Sequence, residues 1–69
     1  MTQKDIDERL EEYRRIRPNP GFDAVALAEA ALFIEDVFGI RLTNKEISEQ
    51  RLGSFDRMRV LLYSRLGVA

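Results

Sequence analysis

Cysteine and histidine are both absent from this 69-residue chain. Without cysteine there can be no disulfide framework and no thiolate metal site. The lack of histidine removes the usual zinc sites, the Ser-His and Cys-His nucleophile pairs, and imidazole acid–base chemistry. No apolar run approaches the ~20 residues of a membrane span. The opening MTQKDIDERLEE is charged and has no signal-peptide core. A basic excess is missing too: the net charge is −1, which weighs against a nucleic-acid partner. Repeats and low-complexity tracts are absent. These absences leave a soluble, cytoplasmic, non-enzymatic protein as the expectation, with no membrane or nucleic-acid partner, no metal and no catalytic residues. The length allows one domain, residues 1–69. A chain this short buries only about 60% of the surface that its unfolded form exposes.

What is present reads as helix throughout. Ile6, Leu10, Tyr13 and Ile16/Arg17 recur at helical spacing in a first segment, Lys4 to Arg17. Thr2 and Asp5 form a loose N-terminal box, and Arg14, Arg15 and Arg17 suit the negative end of the helix dipole. Pro18-Asn19-Pro20-Gly21 stops that helix. The second segment runs from Asp23, a good N-cap, to Phe38, with Gly39 as a left-handed C-cap. At roughly 100° per residue, Leu27, Ala30, Ala31, Ile34 and Phe38 form a core stripe. Val25, Glu29, Leu32 and Asp36 fall on the opposite face, which is more apolar than a solvated face requires.

Ile40 and Leu42 read as buried residues of a loop. Thr43 and Glu46 form a capping box that opens a short third helix containing Ile47 and fading near Arg51-Leu52-Gly53. Ser54 caps a fourth helix with Phe55, Met58, Leu62 and Leu66 inward, Leu61 beside them, and Gly67 at its end. Phe22, Phe33, Val37, Phe38 and Ile47 are assigned to packing, and the arginines of the fourth helix to a solvated face. Charge is uneven. Phe22 to Ile40 holds Asp23, Glu29, Glu35 and Asp36 and no base, whereas the tail sets Arg51, Arg57, Arg59 and Arg65 against Asp56. The expectation is an all-α bundle of four helices, the third one short, with no strand pattern.

Three stretches carry a resemblance. They are Gly21-Phe22-Asp23-Ala24-Val25, Ala28-Glu29, and Ile34-Glu35-Asp36-Val37-Phe38-Gly39-Ile40-Arg41-Leu42. This order resembles the acyl and peptidyl carrier proteins of fatty acid, polyketide and nonribosomal peptide biosynthesis. That family has an Asp-Ser-Leu-like element at the start of its second helix. An acidic pair, a Phe-Gly-Ile element and a short third helix follow. Leu52-Gly53-Ser54-Phe55-Asp56 and the helix after it look like the family's fourth helix, so the resemblance spans Gly21 to Gly67.

The resemblance implies an acyl-carrier-protein-like bundle bearing 4′-phosphopantetheine at position 24, beside Asp23 and Val25, with cargo held as a thioester. It also implies a docking face of Val25, Glu29, Leu32, Glu35 and Asp36. The implied partners are a phosphopantetheinyl transferase and enzymes that transfer acyl or aminoacyl groups.

The chain departs from the pattern twice. The connection between the first two helices is shorter than the family's. The residue where the family has its attachment serine is Ala24, whose methyl group has no oxygen to form a phosphodiester. Ser54 imitates the attachment element, but the helix after it would leave no residues for two further helices. Ser48 and Ser64 lie within helices and lack a preceding Asp. Two histories fit Ala24. In the first, alanine replaces the serine of a stand-alone carrier. In the alternative, the chain is a natural pseudo-carrier, an interaction module that bears no prosthetic group. A small helix-turn-helix DNA binder using the third helix and the arginines of the fourth is a third reading, opposed by the acidic second helix.

Overall fold

The computed structural model describes residues 1–18 and 23–68. It contains α1 (Gln3–Ile16), α2 (Ala24–Phe38), α3 (Glu49–Leu52) and α4 (Phe55–Leu66), and no strand among the described residues. The expected all-α architecture with a short third helix is the one observed. The Asn19-Pro20-Gly21 part of the first connection, and the packing assigned to Phe22, lie outside the described residues.

Thr2 is extended and accepts the Asp5 amide on Oγ1 at 3.2 Å, while its own amide donates to Asp5 Oδ2 at 3.0 Å. The loose box is thus complete, and two amides that helix geometry leaves without partners are satisfied. Ile6 and Leu10 are buried on the inner face and Tyr13 is half-buried. Ile16 breaks the expected stripe and is 75% exposed. It lies about 80° round the helix from Ile6, whereas the stripe itself runs on to Arg17, past the helix end.

In α2, Asp23 Oδ1 accepts the Ala26 amide at 2.8 Å. Ala30, Ala31, Ile34 and Phe38 are buried and Leu27 is half-buried, as the stripe requires. Gly39 closes the helix at φ 67°, ψ 29°, a left-handed conformation that costs a glycine nothing sterically.

The third helix starts later than expected. Thr43 and Glu46 do form their box: the Glu46 amide meets Thr43 Oγ1 at 3.3 Å, and the Thr43 amide meets Glu46 Oε1 at 2.9 Å. It closes a single turn rather than opening a helix. Ser48 is extended (φ −147°, ψ 162°), and α3 begins only at Glu49. The reason is geometric. Ile47 and Leu52 would lie about 140° apart on one continuous helix. The break at Ser48 lets half-buried Ile47 and fully buried Leu52 both reach the core.

Ser54 caps α4 by accepting the Arg57 amide at 3.1 Å. Met58, Leu61 and Leu62 are buried, with Phe55 and Leu66 half-buried at the two ends. The fully enclosed residues Ile6, Ile34, Leu52, Met58 and Leu62 come from all four helices, so one core unites them. Each such side chain contributes about 1.5–3 kcal/mol relative to exposure. α4 packs on both α1 and α3, and α2 packs on α3. Tyr13 stacks on Phe33 with ring centres 4.2 Å apart, and Phe55 and Phe38 meet this pair edge-on at 6.1 Å. Val37, expected in the core or at its edge, is 37% exposed.

The arginines of α4 do more than solvate a face. Arg57 Nη1 donates to the Glu49 carbonyl at 3.1 Å. Arg59 Nε lies 3.2 Å from Asp7 of α1, and its Nη1 lies 3.3 Å from Asp56. Arg65 donates to Glu46 Oε1 at 2.6 Å and to the Arg41 carbonyl at 2.7 Å, fastening the long α2–α3 connection to α4. Tyr63 and Gln3 add two links between the chain ends, to Asp7 and to the Val68 carbonyl, each at 2.7 Å.

Candidate functional site

The candidate site begins where α2 begins. Ala24 is the first helical residue and is exposed, directly after the capping Asp23. The cap leaves the Asp23 side chain turned back onto the helix, holding its first turn. A side chain at position 24 therefore projects from a fixed, solvent-facing helix start. Alanine offers only a methyl group there. No oxygen or nitrogen of residue 24's side chain exists for a covalent link, so the residue present does not fit a phosphopantetheine attachment.

From this start an outward stripe runs along α2. Val25 is 69% exposed, Leu32 is 66% exposed, and Asp36 is exposed. These positions recur at helical spacing, so they share one side, opposite Ile34 and Phe38. Large aliphatic groups held in water about two turns apart on one side of a helix cost hydration free energy that burial against a partner would recover.

The five expected docking residues are not equivalent. Glu29 is half-buried, and its Oε2 lies 2.7 Å from Arg17 Nη2 at the end of α1. Tyr13 stands beside this pair, and burial pushes its phenol above the ordinary value. Glu35 is also half-buried, and its Oε2 accepts the Leu42 amide at 2.8 Å. That bond satisfies a loop amide and pins Leu42, half-buried, against the core. Glu35 is thus an internal brace. Of the three helix acids, Asp36 alone has no hydrogen-bond or ion-pair partner among the described residues.

The sequence reading missed two features of the site. Arg17 neutralises Glu29, a pairing that eleven intervening residues conceal. At the other end, Leu32, Glu35 and Asp36 line an open groove of about 410 Å³ with Gly39, Ile40 and Arg41. The left-handed turn at Gly39 folds Ile40 and Arg41 back beside the helix and makes that groove. The glycine cap was the signal available for it.

Among the described residues, no group of three His, Cys, Asp or Glu side chains is arranged to hold a metal ion. No helix among them is long and apolar enough to cross a membrane. The chain matches no protein-family model, no curated protein and no solved structure.

Proposed function

We propose that this chain has the build of a stand-alone acyl, aminoacyl or peptidyl carrier protein whose attachment position is residue 24. On this reading alanine replaces the serine that would bear 4′-phosphopantetheine, and the chain as it stands carries no cargo. One observation supports it above the others: residue 24 opens an exposed helix whose outer side shows Val25, Leu32 and Asp36. The protein would contribute position and partner recognition, while the chemistry would belong to the prosthetic arm. The partners would be a phosphopantetheinyl transferase and acyl- or aminoacyl-transferring enzymes of fatty acid, polyketide or nonribosomal peptide biosynthesis. Charges on the docking face would act mainly on association rate and partner choice.

Ala24→Ser tests the reading. The folded variant is incubated with coenzyme A and a phosphopantetheinyl transferase and then weighed. The expected result is a mass gain of one phosphopantetheinyl group, absent in the parent chain. A folded variant that gains no mass sinks the carrier reading.

A second reading keeps the docking face and discards the cargo: the chain is a natural pseudo-carrier, and Ala24 is its native state. Alanine encoded at position 24 in the natural gene favours this reading, and serine encoded there removes it.

A further inference from the structure

Two exposed patches on this molecule match each other in shape of sequence and oppose each other in charge. The first is the end of α2, where Leu32 is followed at helical spacing by Glu35 and Asp36, with Arg41 at the rim. The second is an open groove of about 210 Å³ between α3 and α4, lined by Gln50, Arg51, Asp56, Arg57 and Val60. Val60 is 64% exposed, nearly the exposure of Leu32. Arg57 lies one turn before it on α4, and Arg51 faces the same groove from α3. Arg51 has no ion pair among the described residues, and Arg57 is held only by the Glu49 carbonyl. Arg59 and Arg65 are tied to internal acids.

We infer that the α3–α4 groove receives the α2 end of a second copy of this chain, in a head-to-tail contact. Leu32 of one copy packs beside Val60 of the next, Asp36 faces Arg57 and Arg51, and Arg41 at the rim faces Asp56. Leu32 and Val60 are both covered, and Asp36, the unpaired acid of α2 among the described residues, meets arginines that hold no ion pair among them, while Asp56 keeps its intramolecular link to Arg59. The contact is heterologous: each copy keeps one patch unfilled, so association continues into short chains or closes into a ring.

Size sets the strength. The molecule exposes 4719 Å². A contact covering about a tenth of that takes roughly 470 Å² from each copy, below the usual range of stable interfaces. The association is accordingly weak, needs high protein concentration, and depends on salt because its charges sit at the surface. The inference uses the exposure of α2's outer side but not the carrier reading. Loading of the Ala24→Ser variant would be unaffected by its failure.

Sedimentation velocity on the full chain tests it. In about 0.01 M salt the weight-average sedimentation coefficient should rise with concentration, and in about 1 M salt the rise should shrink sharply. Asp36→Arg spoils the α2 patch and Val60→Arg blocks the groove, both at exposed positions where folding is not at stake. Each variant alone should lose self-association at least about tenfold, equivalent to ~1.4 kcal/mol. Their equimolar mixture should form a complex that stops at the dimer, since one intact patch of each kind remains. A parent chain that stays monomeric at every concentration in low salt overturns the inference and leaves the groove to another occupant. It is equally overturned if both single variants associate like the parent, or if their mixture stays monomeric.

Discussion

Arg17 Nη2 and Glu29 Oε2 lie 2.7 Å apart, joining the first residue beyond α1 to the middle of α2. The pair places a base at the one acid of the outer face that stands nearest to α1. It therefore competes with any external base for Glu29, and it leaves Asp36 as the acid most open to a partner. Arg17 is exposed and Glu29 only half-buried, so screening by water limits what the pair adds to stability.

Arg17→Ala should consequently shift the unfolding free energy by no more than about 1 kcal/mol. On the proposed carrier function its larger effect should be on docking. Binding of a phosphopantetheinyl transferase in low salt should accelerate in Arg17→Ala, where Glu29 is released, and slow in Asp36→Asn. Stopped-flow association rates measure both. Equal rates in the two variants and the parent would show that this face does not meet the transferase.

The inside and the outside of α2 separate cleanly in stability. Ile34 is fully enclosed, and Ile34→Ala should cost about 2–5 kcal/mol. A chain of this length has roughly 3–10 kcal/mol in all, so the variant should be largely unfolded at moderate urea concentrations. Leu32→Ala and Val25→Ala should each change stability by less than about 0.5 kcal/mol. Urea titration followed by helical circular dichroism checks this. A large loss in Leu32→Ala with a small one in Ile34→Ala would mean that α2 is turned the other way.

That division was legible because α2 is long and strongly periodic. Its caps, Asp23 and Gly39, mark both ends, and the stripe through Ile34 and Phe38 fixes its rotation. The Thr2 and Ser54 caps were equally readable. Failures cluster where local and global demands diverge. Thr43 and Glu46 carry a correct capping signal, yet the core's need for both Ile47 and Leu52 stops the helix after one turn. At the site, spacing placed Val25, Leu32 and Asp36 correctly on the outside. It could not show that Glu29 meets Arg17 or that Glu35 braces Leu42, because both pairings depend on how separate segments pack. The arginines of α4 looked solvated for the same reason.

Two glycines should respond differently to alanine. At Gly39 a methyl group would meet open space, so Gly39→Ala bears only the penalty of φ 67°, about 1 kcal/mol. Gly53 has an ordinary φ of −73°, but a Cβ there would collide with the Glu49 carbonyl oxygen and crowd the Glu49 Cγ. That oxygen belongs to the backbone of α3, so it can retreat only if the α3–α4 corner moves, beside buried Leu52. Gly53→Ala should therefore cost more, about 2–3 kcal/mol, as overpacking does. Thermal or urea unfolding of the two variants decides it. A costlier substitution at Gly39 would show that the corner is looser than this geometry implies.

Glu46 should govern part of the acid limb of stability. The Thr43 amide and the Arg65 guanidinium hold its carboxyl below the ordinary carboxylate range. Since the folded value lies below the unfolded one, the stabilisation is fully present above the unfolded value. It is lost as pH falls through the folded value. Asp5, held down chiefly by the Thr2 amide, behaves in the same sense. The opposite case is Tyr63, whose phenol donates to Asp7 and is raised above its usual range. Its contribution is present below the unfolded phenol value and disappears as pH rises through the folded one. Glu46→Gln should thus lower stability at neutral pH yet flatten the acid limb, while leaving the alkaline limb unchanged. Tyr63→Phe should flatten only the alkaline limb. Urea midpoints measured across pH for the parent and both variants test the assignment. An acid limb as steep in Glu46→Gln as in the parent would show that the Thr43–Glu46–Arg65 cluster does not hold the α2–α3 connection.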